Sequence, residues 1–172
     1  TVCDSYIETF CEVAKAYNVP CPFSGNVKTV RQKHLMRQAL DRAGLSNPKY
    51  KIAYNLEDAK KAAQEIGYPL VLKPVDLASS AFVKLIQTSS ELQQAYHDLE
   101  NFPLNFRDQE RERALLIEEY ICGEELSVET VSNNGEITVV GITDKSVTGS
   151  PYFIENGHMF PAKLKEDAKE KI

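Results

Sequence analysis

The sequence is poor in the residues and patterns that announce most chemistries. Its four cysteines, Cys3, Cys11, Cys21 and Cys122, have no C-x-x-C spacing, and the three histidines stand far apart at 34, 97 and 158. That scatter makes a poor metal framework and reads as buried or idle thiols of a cytosolic protein. No apolar run approaches the roughly 18 residues that a membrane helix needs, and no basic-then-apolar leader stands at the start. Positive charge is also in deficit. Twenty Lys and Arg against 25 Asp and Glu leave a net charge of −5, which argues against a general nucleic-acid or anionic-membrane surface. The expectation is a soluble, cytoplasmic, globular protein with small-molecule partners.

The familiar nucleotide and hydrolase signatures are missing too. There is no G-x-x-x-x-G-K-[ST], no G-x-G-x-x-G between a strand and a helix, no S-x-G elbow and no H-E-x-x-H. If the protein handles a nucleotide, it uses another device.

What is present is a chain of 172 residues, 42% hydrophobic, enough for one domain or a small domain plus a piece of another. Ile7, Phe10, Cys11, Ala14 and Tyr17 recur at helical spacing and predict a helix over 5–17. It reads as the tail of a domain whose beginning is absent, and "NVPCPFSG" follows as a connection. The spacing predicts a second helix over 30–43, closed by Gly44, and a short strand over 50–54. Asn55 caps a third helix that ends at Gly67. "YPLVLKPV" and "KLIQT" read as strands, and "TSSE" at 88–91 as a capping box. After a charged loop, "ALLIEEYI", "ELSVETV" and "EITVVGIT" read as strands, the last two joined by a turn at "SNNG". "LKEDAKEKI" reads as a helix just beginning. The fold class is α+β, a mixed or antiparallel sheet flanked by helices.

Three stretches carry chemistry. In "VLKPVDLASSAFV" (71–83), Lys73 ends an apolar strand where an unpaired charge costs several kcal/mol. It is either a snorkelling lysine on an edge strand or a fixed cation aimed at an anion, with small residues beyond it that let backbone N–H groups approach. "LLIEEYICGEELSVE" places Glu118 at a strand end and Glu125 beyond a turn, where carboxylates accept from a sugar or an amino group; solvated surface is the plainer reading. "TDKSVTGSPYFIENGHMFPA" packs Asp144, Lys145, Thr148, Glu155 and His158 among Gly, Pro and aromatics as a dense loop.

Taken in order, Lys33 in "RQKHLMRQALDRAGLSNPKY", then "IGYPLVLKPVD", a serine-containing loop and "LIEEYICGEELSVE" resemble the ATP-grasp superfamily of carboxylate–amine ligases. "ITDKSVTGSPYFIENGH" is similar to its subgroup of bacterial L-amino acid ligases, which form dipeptides. The resemblance runs from about residue 20 to the end. It implies residues 1–26 as the end of a preceding domain plus linker, and 27–172 as the first and central part of an ATP-grasp domain. It implies ATP as cofactor, with Lys33 and Lys73 on the phosphates and Ser79 and Ser80 in the loop that closes over the γ-phosphate. Glu118 would accept from the adenine amino group, the backbone of Glu119 and Ile121 would meet the adenine edge, and Glu125 would hold the ribose. Glu155 and His158 would lie near the substrates. Mg2+ would be held by residues beyond 172, so this stretch alone is expected not to turn over. A homodimer is left open. The sequence departs from the family at Ala78 and Phe82, where the loop ordinarily has glycines, and at Gln32, where an acid is usual. A non-catalytic nucleotide-binding or interaction module and a biotin-carboxylase-like enzyme stand as the alternatives.

Overall fold

The computed structural model describes residues 3–23, 25–170 and 172. It separates into two compact units, Thr1–Tyr120 and Ile121–Ile172.

In the first unit, a short 3-10 turn leads into α1 (Ile7–Ala16), as the periodicity predicts. The single helix expected over 30–43 is instead two, α2 (Lys28–Arg31) and α3 (Lys33–Arg42). Gln32 between them is extended, and the Lys33 N–H donates to the Val75 carbonyl at 2.9 Å. A bond to a residue distant in sequence therefore interrupts the helix and fixes where α3 begins. Gly44 ends α3 as expected, with φ +68°; its N–H reaches Asp41 O and that of Leu45 reaches Leu40 O, each at 3.0 Å.

Four strands follow: β1 (Tyr50–Ala53), β2 (Leu70–Pro74), β3 (Lys84–Ile86) and β4 (Leu115–Glu119). Their order is β1-β4-β2-β3, and every pairing is antiparallel. β2 is thus an interior strand, which overturns the edge-strand reading of Lys73. The helices α4 (Leu56–Ile66) and α5 (Ser89–Glu100) cover one face of this sheet. Asn55 caps α4 by accepting from the Asp58 N–H at 2.8 Å. Thr88 caps α5 through the Glu91 N–H at 3.2 Å, while the Glu91 carboxylate accepts from Gln87 N–H, one residue earlier than the usual box. Ala59, Ala62 and Ala63 of α4 and Leu92, Ala95 and Leu99 of α5 pack on Leu70, Leu72, Leu115 and Ile117. Each such leucine or isoleucine contributes roughly 2 kcal/mol by leaving water. Successive strand residues alternate between faces, so Lys73, Leu116 and Glu118 point to the side opposite α4 and α5. A smaller cluster of Val75, Ala114 and Leu116, flanked by Tyr50 and Ile52, supports that side.

The second unit is an antiparallel sheet of β5 (Glu125–Asn133), β6 (Glu136–Val147) and β7 (Glu155–Met159), in that order. Asn134 and Gly135, both with positive φ, make the expected turn. Where a dense loop is expected from "TDKSVTGSPYFIENGHMFPA", the chain instead continues β6 to Val147 and forms β7. "ENGHM" has no β-branched residue, and its strand state comes from pairing with β6. The short helix α6 (Glu166–Lys169) lies where the terminal one is expected.

The cysteines, expected as buried or idle thiols, are all free and none is fully buried. Cys3, Cys11 and Cys21 are half-buried and Cys122 is exposed, with the Cys11 and Cys21 sulfurs 3.2 Å apart. Among the described residues, no helix is long and apolar enough to cross a membrane.

Candidate functional site

Lys33 opens α3 and Arg37 follows one turn later, so both side chains lie on the same side of that helix. Across from them, strand register sets Lys73 opposite Leu116 and Glu118 opposite Val71, which makes Lys73 and Glu118 diagonal neighbours on one face of the sheet. The buried Glu118 carboxylate pairs with the Lys73 ammonium. It also accepts from Arg37 Nε at 2.6 Å and Nη2 at 3.4 Å. Burial alone would raise the Glu118 pKa, but the Arg37 bond and the Lys73 charge outweigh it and hold the carboxyl below its usual range. Lys33 donates from Nζ to the Leu77 carbonyl. Burial, then the charge of Lys73 and that of Arg31, push the Lys33 ammonium down to about 8, with Asp76 pulling the other way. Two cations, Lys73 and Arg37, therefore meet one carboxylate, with the Lys33 ammonium near enough to Lys73 for the two charges to interact.

Sequence reasoning brings Lys33, Lys73 and Glu118 forward but misses Arg37. The available signal is its spacing of four from Lys33. Arg37 is itself held: Nη1 donates to Asn47 Oδ1 at 3.1 Å, and the Asn47 amide donates to Arg37 O and Asp41 Oδ1, both at 2.8 Å. The Tyr50 hydroxyl donates to Asp41 Oδ2 at 2.5 Å.

The loop after β2 takes a left-handed backbone without glycine. Ser79, Ser80 and Phe82 have φ of +57°, +54° and +57°, whereas Ala78 does not enter that region. Such a backbone costs roughly 1 kcal/mol or more per residue. The Phe82 ring packs on Phe102, centroids 4.9 Å apart. At the loop's root, Asp76 Oδ2 accepts from the Glu112 N–H at 2.7 Å. Ser79 is exposed and Ser80 half-buried. The Glu119 side chain accepts from Lys49 N–H, and its own N–H donates to Lys49 O, both at 2.9 Å. A cavity of about 240 Å3 in this unit is lined by Tyr54, Tyr96, Phe102 and Arg111 among others and includes none of the predicted site residues.

In the second unit, register aligns Glu125, Lys145 and His158 across the three strands. Lys145 Nζ bonds Glu125 Oε1 and Glu155 Oε1, each at 2.6 Å, and His158 Nε2 lies 3.2 Å from Glu155 Oε2. Burial opposes the Lys145 charge, but these two carboxylates raise its pKa overall. Lys145 likewise holds the Glu155 carboxyl below its usual range. Glu129, which sequence reasoning does not single out, accepts from Ser127 Oγ at 2.7 Å and Thr143 Oγ1 at 3.0 Å. Thr148 belongs to a turn: its hydroxyl donates to Tyr152 O and accepts from Ile154 N–H, both at 3.0 Å. Ile121 is exposed.

Against known families, the ATP-grasp domain matches residues 66–172. The chain belongs to the ATP-grasp family. Alanine–anticapsin ligase of Bacillus subtilis is 34% identical over 160 residues, which cover 84% of this chain and 34% of that enzyme. The crystal structure of L-amino acid ligase from Bacillus licheniformis aligns with 99% of this chain and 38% of its own at a TM-score of 0.80 and 26% identity. The biotin carboxylase domain of Hydrogenobacter thermophilus 2-oxoglutarate carboxylase, solved with MgADP and bicarbonate, shares the fold at a TM-score of 0.77 and 21% identity, over 95% of this chain and 37% of that one. The ATP-grasp chain described here spans about a third of the length of the relatives it matches.

Family membership implies magnesium. Among the described residues, no three His, Cys, Asp or Glu side chains gather as a metal site requires. These residues do not by themselves fit a complete magnesium centre.

Proposed function

We propose that the full-length protein is an ATP-dependent ligase that joins a carboxylate to an amine, with amino acids as the substrate class. The observation that carries this reading is the pairing of Lys73 and Arg37 with the buried Glu118, with the Lys33 charge beside Lys73. In the reaction, a carboxylate oxygen attacks the γ-phosphorus and ADP leaves, giving an acylphosphate. The amine then attacks the acyl carbon, and inorganic phosphate departs as the amide forms. Charge accumulates on the transferred phosphoryl oxygens, so positioned cations and backbone donors supply most of the help.

The residues take parts that follow from their chemistry. Lys33 and Lys73 bind phosphate oxygens, and the amides and hydroxyls of Ser79 and Ser80 meet the γ-phosphate. Glu118 accepts from the adenine amino group, with the Glu119 and Ile121 backbones along the adenine edge. Glu125 accepts from ribose hydroxyls. Glu155 and His158 face the substrates, and Mg2+ would be held by residues of the full-length protein beyond 172. Residues 1–26 stand before the ATP-grasp portion, 27–172. The left-handed backbone at Ser79, Ser80 and Phe82 is compatible with a loop whose N–H groups approach a phosphate without the family's glycines.

Titration calorimetry on the full-length protein tests the reading. Lys73→Ala is expected to weaken ATP binding by about tenfold or more, the scale of losing one charged phosphate contact. Equal ATP affinity in variant and wild type removes Lys73 from the phosphates.

A further inference from the structure

Glu118 has two cationic partners, and they are not equivalent. Lys73 meets it through a single ammonium on a flexible stem. Arg37 meets both of its oxygens, and its remaining guanidinium nitrogen donates to Asn47, which donates to Asp41, itself an acceptor from the Tyr50 hydroxyl. A planar fork held on both sides keeps a carboxylate in one orientation, as an ammonium does not. If Lys73 turns to a phosphate oxygen, an isolated buried Glu118 would tend to take up a proton and become a donor, unable to accept from an amino group.

We propose that Arg37 is a positioning residue: it is the standing counter-ion that keeps Glu118 ionised and aimed while Lys73 serves the phosphates, and so it sets the preference for a 6-amino over a 6-oxo purine. This rests on the reading of Glu118 as the acceptor for the adenine amino group. The charge arithmetic is consistent with the division of labour. With Arg37 fixed on Glu118, that pair is neutral, and Lys33 and Lys73 remain as two cations for the phosphates. Arg37 touches the nucleotide nowhere in this scheme, so its effect should appear in base selectivity.

The test compares ATP with inosine triphosphate, which carries an oxygen where ATP carries the amino group. Affinities for both are measured on full-length wild type, Arg37→Met, Arg37→Lys and Glu118→Gln, with folding checked by circular dichroism. Wild type is expected to prefer ATP, and Arg37→Met to lose roughly tenfold or more of that ratio. Arg37→Lys should recover part of it, since it restores the charge without the fork. A lesion that only loosens the protein would weaken both nucleotides together and leave the ratio intact. Arg37→Met with the wild-type ratio, while Glu118→Gln loses it, overturns the role of Arg37 alone. Wild type without the preference, or Glu118→Gln retaining it, overturns the reading of Glu118 and this inference with it. Should Arg37→Met fail to fold, the ratio in Arg37→Lys decides: a full wild-type value contradicts the need for the fork.

Discussion

Lys33 is charged in an unfavourable place. Its ammonium is half-buried and lies near Lys73 and Arg31, and burial followed by those two charges brings its pKa to about 8. Because this folded value lies below that of an exposed lysine, the native state releases its proton first as pH rises. Stability should therefore increase between about pH 8 and pH 10 from this group. Anion binding has the opposite sign, since phosphate needs the protonated form. ATP affinity of the full-length protein is expected to fall by up to about tenfold per pH unit above pH 8, and Lys33→Arg should flatten that fall because a guanidinium stays charged. A wild-type profile that is flat to pH 9.5 contradicts this. Lys73 and Glu118 are legible in the sequence because each stands at a predicted strand end with a residue type that suits a nucleotide, and Lys33 only through its order ahead of them. Arg37 is not, because its importance comes from Glu118, 81 positions away.

At the scale of elements, the segment after β2 is where local propensity and fold disagree. Phe82 adopts the left-handed backbone that a side chain resists, with Ser79 and Ser80 beside it, whereas Ala78 does not. The Phe82–Phe102 contact supplies one compensation from outside the loop. Replacing Ser80 by glycine and by alanine separates backbone from side chain. The glycine variant of the full-length protein is expected to be more stable than the alanine variant by about 1 kcal/mol in urea unfolding. Equal midpoints would mean that Ser80 is not held left-handed. The helix α4 is legible because its cap Asn55 and its closing Gly67 agree, and α5 because of its capping box. The break at Gln32 and the strand β7 are not, because both depend on partners elsewhere: Val75 O for the first and β6 for the second.

For the molecule as a whole, composition excludes several functions, and order along the chain does the rest. Each short piece is weak alone, since a lysine before a proline at a strand end has ordinary explanations. Lys33, Lys73, Glu118 and Glu125 in sequence are far more specific, and the structure brings the first three together while Glu125 pairs with Lys145 in the second unit. The all-antiparallel order β1-β4-β2-β3 is not legible, because strand order is set by how α4, α5 and the connections pack. The most direct measurement is ADP release by the full-length protein, followed with a coupled assay while carboxylate and amine amino acids are supplied singly and together. ADP release that needs both substrates, with amide product and inorganic phosphate in equal amounts, is the expected result. ATP bound tightly but never consumed across a broad amino-acid panel, or ADP released with no amide formed, would contradict a ligase.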